Sequence, residues 1–192
     1  MTVGLITFPA HRWQIRQFDS CELVSAIRYI GVSLAQFNGP AQMLNEIYNK
    51  QILQFAADIH HLGRLEAPDA SASAHSKLCG SKVRVDLNMQ DGRVSAFAHD
   101  VKACALGQAS SSIMARHVIG STGDELRAVR EQMRAMLKEN GPPPNGKWAD
   151  LEILQPVKDF KARHASTLLT FDAVCDAVAQ IEGAAEASEA AG

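Results

Sequence analysis

The 192 residues contain no apolar run long enough to cross a bilayer as a helix. The opening stretch, MTVGLITFPAHRWQIRQFDSCELV, meets Pro9, His11, Arg12 and Arg16 before any apolar block of signal-peptide length. A soluble, cytoplasmic protein is expected. There is no basic excess either: 19 Lys and Arg stand against 21 Asp and Glu, for a net charge of -2. Nothing in that balance attracts a polyanion, so neither nucleic acid nor membrane is expected as a partner. Cysteine is scarce, with only Cys21, Cys79, Cys104 and Cys175. A chain of this length with 46% hydrophobic residues can bury a core without disulfide staples. Reduced thiols are therefore expected, as ligands, nucleophiles or core residues. Internal repeats are absent, and the length suits one domain with tails.

What is present begins with MLNEIYNKQILQFAADI, where Leu44, Ile47, Tyr48, Ile52 and Phe55 recur at helical spacing and predict a helix over about 44–58. Residues 1–42 show no such period and are read as an extension or a mis-assigned start; the working domain is placed at 43–183 and a flexible tail at 184–192. RLEAPDASASAHSKL reads as a loop or weak edge strand. KVRVDLNM then alternates Val83, Val85, Leu87 and Met89 with polar residues, Asp91-Gly92 supplies a hairpin turn, and the return strand sets Val94, Ala96 and Ala98 on one face. Helices are expected from near Cys104 to near Gly120, over STGDELRAVREQMRAMLKENG, and beyond Pro156 after a Pro-rich loop.

Cys79, followed by Gly80, stands before this hairpin, and Cys104 just after it. A strand of roughly eight residues runs about 25 Å out and its partner the same distance back, so the two thiols end near each other. Cys104 also falls near a helix N-terminus, where free amides and the helix dipole favour a thiolate. Such a pair suits metal binding or sulfur transfer. The spacing is equally compatible with two small buried groups.

Three stretches carry a family resemblance: LCGS at 78–81, ACALGQASSSIM at 103–114 and FKARHASTLLTFDAV at 160–174. Together they resemble the iron-sulfur cluster assembly scaffolds of the IscU, SufU and NifU N-terminal type over about 44–181. The Pro-rich loop and Trp148 resemble the insertion of the SufU form. The resemblance implies an α+β fold, with a small antiparallel β-sheet and helices packed on one face. It also implies a scaffold or sulfur-transfer accessory protein rather than a conventional enzyme. Cys79 is the implied persulfide acceptor, and Cys79 and Cys104 the implied ligands of a transient iron-sulfur cluster or of an Fe or Zn ion. A cysteine desulfurase and other iron-sulfur assembly proteins are the implied partners, and Arg163 a contact to them.

Two positions depart from that pattern. Ser81 follows Cys-Gly where the family has Asp, and Ser166 stands where it has a third cysteine. A hydroxyl is a poor ligand for zinc or a cluster beside thiolate, imidazole or carboxylate. His164 is the nearest substitute ligand, and His99 on the return strand a second. Cys175 lies more than two helical turns past Ser166 and is assigned to the core, Cys21 to the extension, and His60 and His61 to solvent. The serines at 110–112 lack a nucleophile elbow and are read as close-packing residues. The alternative is a degenerate member that holds no metal and binds partner proteins.

Overall fold

The computed structural model describes residues 49–189. Helix α1 (Lys50–Ala57) starts where the Asn49 side chain accepts the Ile52 N–H at 2.9 Å, a cap that satisfies one free amide. The earlier part of the expected helix, Leu44 to Tyr48, lies outside the described residues. Strands β1 (Ala70–His75), β2 (Lys82–Gln90) and β3 (Arg93–Lys102) form one antiparallel sheet in that order. The loop-or-edge-strand stretch is thus edge strand β1, pairing Ala72 with Val85. Asp91 and Gly92 both have positive φ, 52° and 72°, the backbone that matches the twist of a two-residue hairpin.

The return strand departs from its expected alternation. A register shift between Asn88 and Met89 sets Met89 against Val94 and Asn88 against Ala96, which leaves Ser95 as an extra residue. The period of two is interrupted there. Val94 consequently shares the core face with Phe97, His99 and Val101, while Ala96 and Ala98 turn to the other face.

Helices α2 (Ala105–His117), α3 (Gly123–Lys138) and α4 (Lys161–Glu189) complete the fold, with a 3₁₀ segment at Gly146–Asp159 that contains Pro156. Thr122 caps α3 by accepting the Glu125 N–H at 3.2 Å. Trp148 donates its indole N–H to Glu125 at 3.1 Å, which ties the 3₁₀ segment to α3. The core face of the sheet receives α4 against β1 and β2 and α2 against β3. The small residues of α2 do what the sequence suggests: Ala109, Ser110, Ser111 and Ser112 are buried, and the Ser112 hydroxyl donates to the Asp58 carbonyl. Gly107 takes this further. A Cβ there would stand 2.7 Å from Ala103 Cβ and 3.0 Å from the Ser166 carbonyl oxygen, so α2 and α4 touch almost backbone to backbone.

The chain between α1 and β1 crosses the outer face of the sheet. Leu62 bridges to His99 on β3, and then Arg64 and the Leu65 N–H meet the Asp86 carboxylate, which also accepts from Ser71 at 2.6 Å. Burial alone would raise the Asp86 pKa, but these donors hold it below the usual carboxylate range. Among the described residues no helix is long and apolar enough to cross a membrane.

Candidate functional site

Three chain segments meet at one end of the sheet: the turn between β1 and β2, the start of α2, and the start of α4. The turn is tight because the Ser76 N–H donates to the Ser81 carbonyl at 2.8 Å and the Gly80 N–H to the Ser76 carbonyl at 2.9 Å. Gly80 has φ of 71°, a backbone that side chains other than glycine's rarely accept. The turn presents Cys79 partly exposed, beside a Leu78 that is 77% exposed.

Cys104 is the N-cap of α2, with no side-chain cap bond of its own. Its thiol is therefore free for other contacts. The Cys79 thiol donates to the Ser81 hydroxyl at 3.1 Å, and that oxygen also accepts the Cys104 backbone N–H at 3.3 Å. The Cys104 thiol in turn addresses the Ser166 hydroxyl at 3.6 Å, while Ser166 donates to the Arg163 carbonyl at 2.9 Å. The hairpin thus brings Cys79 and Cys104 into one cluster, and Ser81 and Ser166 are its remaining members.

The electrostatics follow from those donors. Burial pushes the Cys79 thiol up, but the surrounding Ser76, Ser81 and Ser166 hydroxyls and the Ser81 backbone outweigh it, bringing Cys79 from 9.0 down to about 7. Each donor favours the thiolate. The same serines that are weak metal ligands are good partners for an anionic sulfur.

The other sequence candidates lie elsewhere or act differently. His164 is buried at the start of α4, with Nε2 held between the carbonyls of Val157 and Lys158 at 3.1 and 3.0 Å. Two acceptors on one nitrogen require it to carry the proton. His99 is fully buried further along β3, where its ring bonds the His60 carbonyl at 2.9 Å and packs edge-on against Phe97. Burial lowers its pKa to about 4. Among the described residues no group of three or more His, Cys, Asp or Glu side chains is placed to hold a metal ion, so neither histidine joins the two thiols as a third donor. Cys175 is buried on α4 with its thiol toward the Leu126 carbonyl, and burial raises its pKa to about 11. His60 and His61 are exposed, and Cys21 lies outside the described residues. What sequence reasoning missed is the positive role of Ser81 and Ser166, whose signal was only that both are hydroxyls at the thiol-bearing corners.

Residues 47–167 match the family model described as the NifU-like N-terminal domain. The chain belongs to that family. A NifU-like N-terminal protein of Brucella abortus is 64% identical, its structure superposes with a TM-score of 0.72, and the match covers 73% of this chain and 98% of that one. Two curated relatives named iron-sulfur cluster assembly scaffold protein IscU are each 24% identical. The one from Streptococcus pyogenes covers 70% of this chain and 84% of its own length, and the one from Thermotoga maritima 70% and 94%. A proposed SUF-system scaffold from Fervidobacterium islandicum, 19% identical with a TM-score of 0.65, shares the fold over 70% of this chain and 98% of its own. The resemblance carried by the three quoted stretches is thereby confirmed, as is the α+β architecture. Among the described residues the corner gathers two thiols and two hydroxyls, and a hydroxyl is a weak donor to zinc or iron beside a thiolate.

Proposed function

We propose that this chain acts in iron-sulfur cluster assembly as a sulfur acceptor, with Cys79 receiving sulfane sulfur from a cysteine desulfurase in the cytoplasm. The observation that carries the reading is a partly exposed Cys79 thiol on a Gly-containing turn, set against the Ser81 hydroxyl at 3.1 Å, where the surrounding donors bring it down to about 7. Near neutral pH about half of such a thiol is thiolate, the nucleophilic form. The thiolate attacks the outer sulfur of the donor persulfide, the donor's sulfur–sulfur bond breaks, and the donor thiolate leaves. Cys79 then carries the persulfide.

Two residues at this corner support docking. Leu78 offers an apolar contact at the turn, and Arg163, whose carbonyl accepts from Ser166 and whose side chain makes no ion pair among the described residues, offers a cation to an acidic group of the partner. Iron or a nascent cluster enters this reading as cargo. Cys79 and Cys104 supply two thiolates toward it, and the remaining donors come from outside the cluster of four side chains.

The test is persulfide labelling by a desulfurase and free cysteine, read on each thiol by peptide mass spectrometry. Cys79→Ser abolishes labelling, whereas Cys175→Ser and His164→Ala leave it intact. A wild-type chain that binds the desulfurase yet gains no sulfur at Cys79 refutes the reading and leaves a partner-binding role without sulfur chemistry.

A further inference from the structure

We propose that Cys104 is the resolving thiol of a sulfide-releasing pair: it attacks the Sγ of persulfidated Cys79, forms a Cys79–Cys104 disulfide and expels the terminal sulfur as hydrosulfide. The inference rests on the sulfur-acceptor reading and concerns the fate of the sulfur once accepted.

Placement is the first argument. The Cys104 thiol donates to the Ser166 hydroxyl at 3.6 Å, at the corner where the start of α2 meets the turn carrying Cys79. Ser81 makes a second link, accepting from the Cys79 thiol at 3.1 Å and from the Cys104 N–H at 3.3 Å. Both thiols are partly exposed, so hydrosulfide has a way out. The two thiols come from separate elements that converge: Cys104 is the N-cap of α2, and Cys79 sits on the turn between β1 and β2.

The donor set is the second argument. A persulfide is kept for a cluster only if nearby ligands hold iron against it, and the two hydroxyls here do that poorly. They do not compete with a neighbouring thiol for the sulfur. The reaction nearest to hand is therefore thiol–disulfide exchange within the site.

The step balances without an external oxidant. Cys79–Sγ–S⁻ and Cys104–SγH give Cys79–Sγ–Sγ–Cys104 and HS⁻: one sulfur–sulfur bond forms as another breaks. The bonding pair leaves with the terminal sulfur, which is reduced to sulfide while Cys104 is oxidised to the disulfide level. The Cys104 proton departs on the hydrosulfide. A dithiol reductant of the thioredoxin type reopens the disulfide for another cycle.

The experiment loads the full chain with inorganic polysulfide under anaerobic conditions, removes the excess, and follows released sulfide together with intact and peptide mass. Wild type and Cys175→Ser release about one sulfide per chain as the persulfide mass decays, and end with a disulfide mapped to Cys79 and Cys104. Cys104→Ser keeps its Cys79 persulfide and releases sulfide at least tenfold more slowly. Persulfide that persists in wild type as long as in Cys104→Ser overturns the inference while leaving the acceptor reading standing, and so does a disulfide that maps to Cys175. Failure of Cys79 to take up sulfur in both wild type and Cys104→Ser instead overturns the acceptor reading, and this inference falls with it.

Discussion

Replacing Ser81 with alanine removes the oxygen that receives the Cys79 thiol at 3.1 Å and the Cys104 N–H at 3.3 Å. Cys79 is held near 7 instead of 9.0 by several donors acting against burial, and the Ser81 hydroxyl is one of the two foremost. A hydrogen bond to a charged group contributes about 1.5–3 kcal/mol when buried. Because Cys79 is partly exposed, solvent screening reduces this to about 1 kcal/mol. That loss lowers the thiolate population at pH 7 about threefold. The rate of alkylation falls less than the population, because a thiolate of higher pKa is intrinsically more nucleophilic. The informative quantity is therefore the midpoint of the pH–rate curve. Iodoacetamide labelling of Cys79 from pH 5.5 to 10, quantified on the Cys79 peptide, should show a midpoint near 7 in wild type. It should move upward in Ser81→Ala, further in Ser81→Ala/Ser166→Ala, and further still in Ser81→Asp, where a carboxylate opposes the thiolate. An unchanged midpoint in the double variant refutes the hydroxyl account of the site.

His99 and Gly107 give two further tests. His99 stays neutral in the fold to about 4 while its unfolded counterpart titrates near 6.5, so the unfolded state binds the extra proton as pH falls between those values. Stability is unaffected at neutral pH and drops by about 2 kcal/mol between pH 7 and pH 5. Urea melts of wild type and His99→Gln at the two pH values check this, and equal pH dependence in both would remove His99 as the cause. Gly107→Ala places a methyl 2.7 Å from Ala103 Cβ and 3.0 Å from the Ser166 carbonyl oxygen, and is expected to destabilise by about 1–3 kcal/mol in a thermal melt. An unshifted melt would mean that α2 and α4 are not in the contact described.

The parts of the fold that were legible in the sequence are those set by neighbours along the chain. Asp91-Gly92 needs only local backbone preference to make its turn, and Thr122 with early acids needs only the free amides of a helix start. What eluded reading depends on distant partners. The bulge at Ser95 inverts the faces of the return strand; Phe97 and Val101 on the expected polar face of RVSAFAHDV hint at it, but nothing in the stretch says where the extra residue falls. Asp86 alternates like a solvent-facing residue and is fully buried, because Arg64, Leu65 and Ser71 reach it from the crossing segment and the edge strand. At the site, Cys79 and Cys104 were readable from hairpin geometry. Ser81 and Ser166 registered only as missing ligands: that Ser81 receives the Cys79 thiol depends on how the turn closes, and that Ser166 receives the Cys104 thiol depends on the approach of α4, which no spacing encodes.

The contact at Gly107 divides the labour at the thiol site. With no side chain between them, α2 and α4 have nothing compressible to yield, and their separation is set by main-chain atoms. Cys104 and Ser166 ride on these two helices like the fixed jaw of a vice. The turn carrying Cys79 is pinned on its own, by the Ser76 and Gly80 amides, so the distance between the two sulfurs is fixed where that turn meets the helix pair and not within either part.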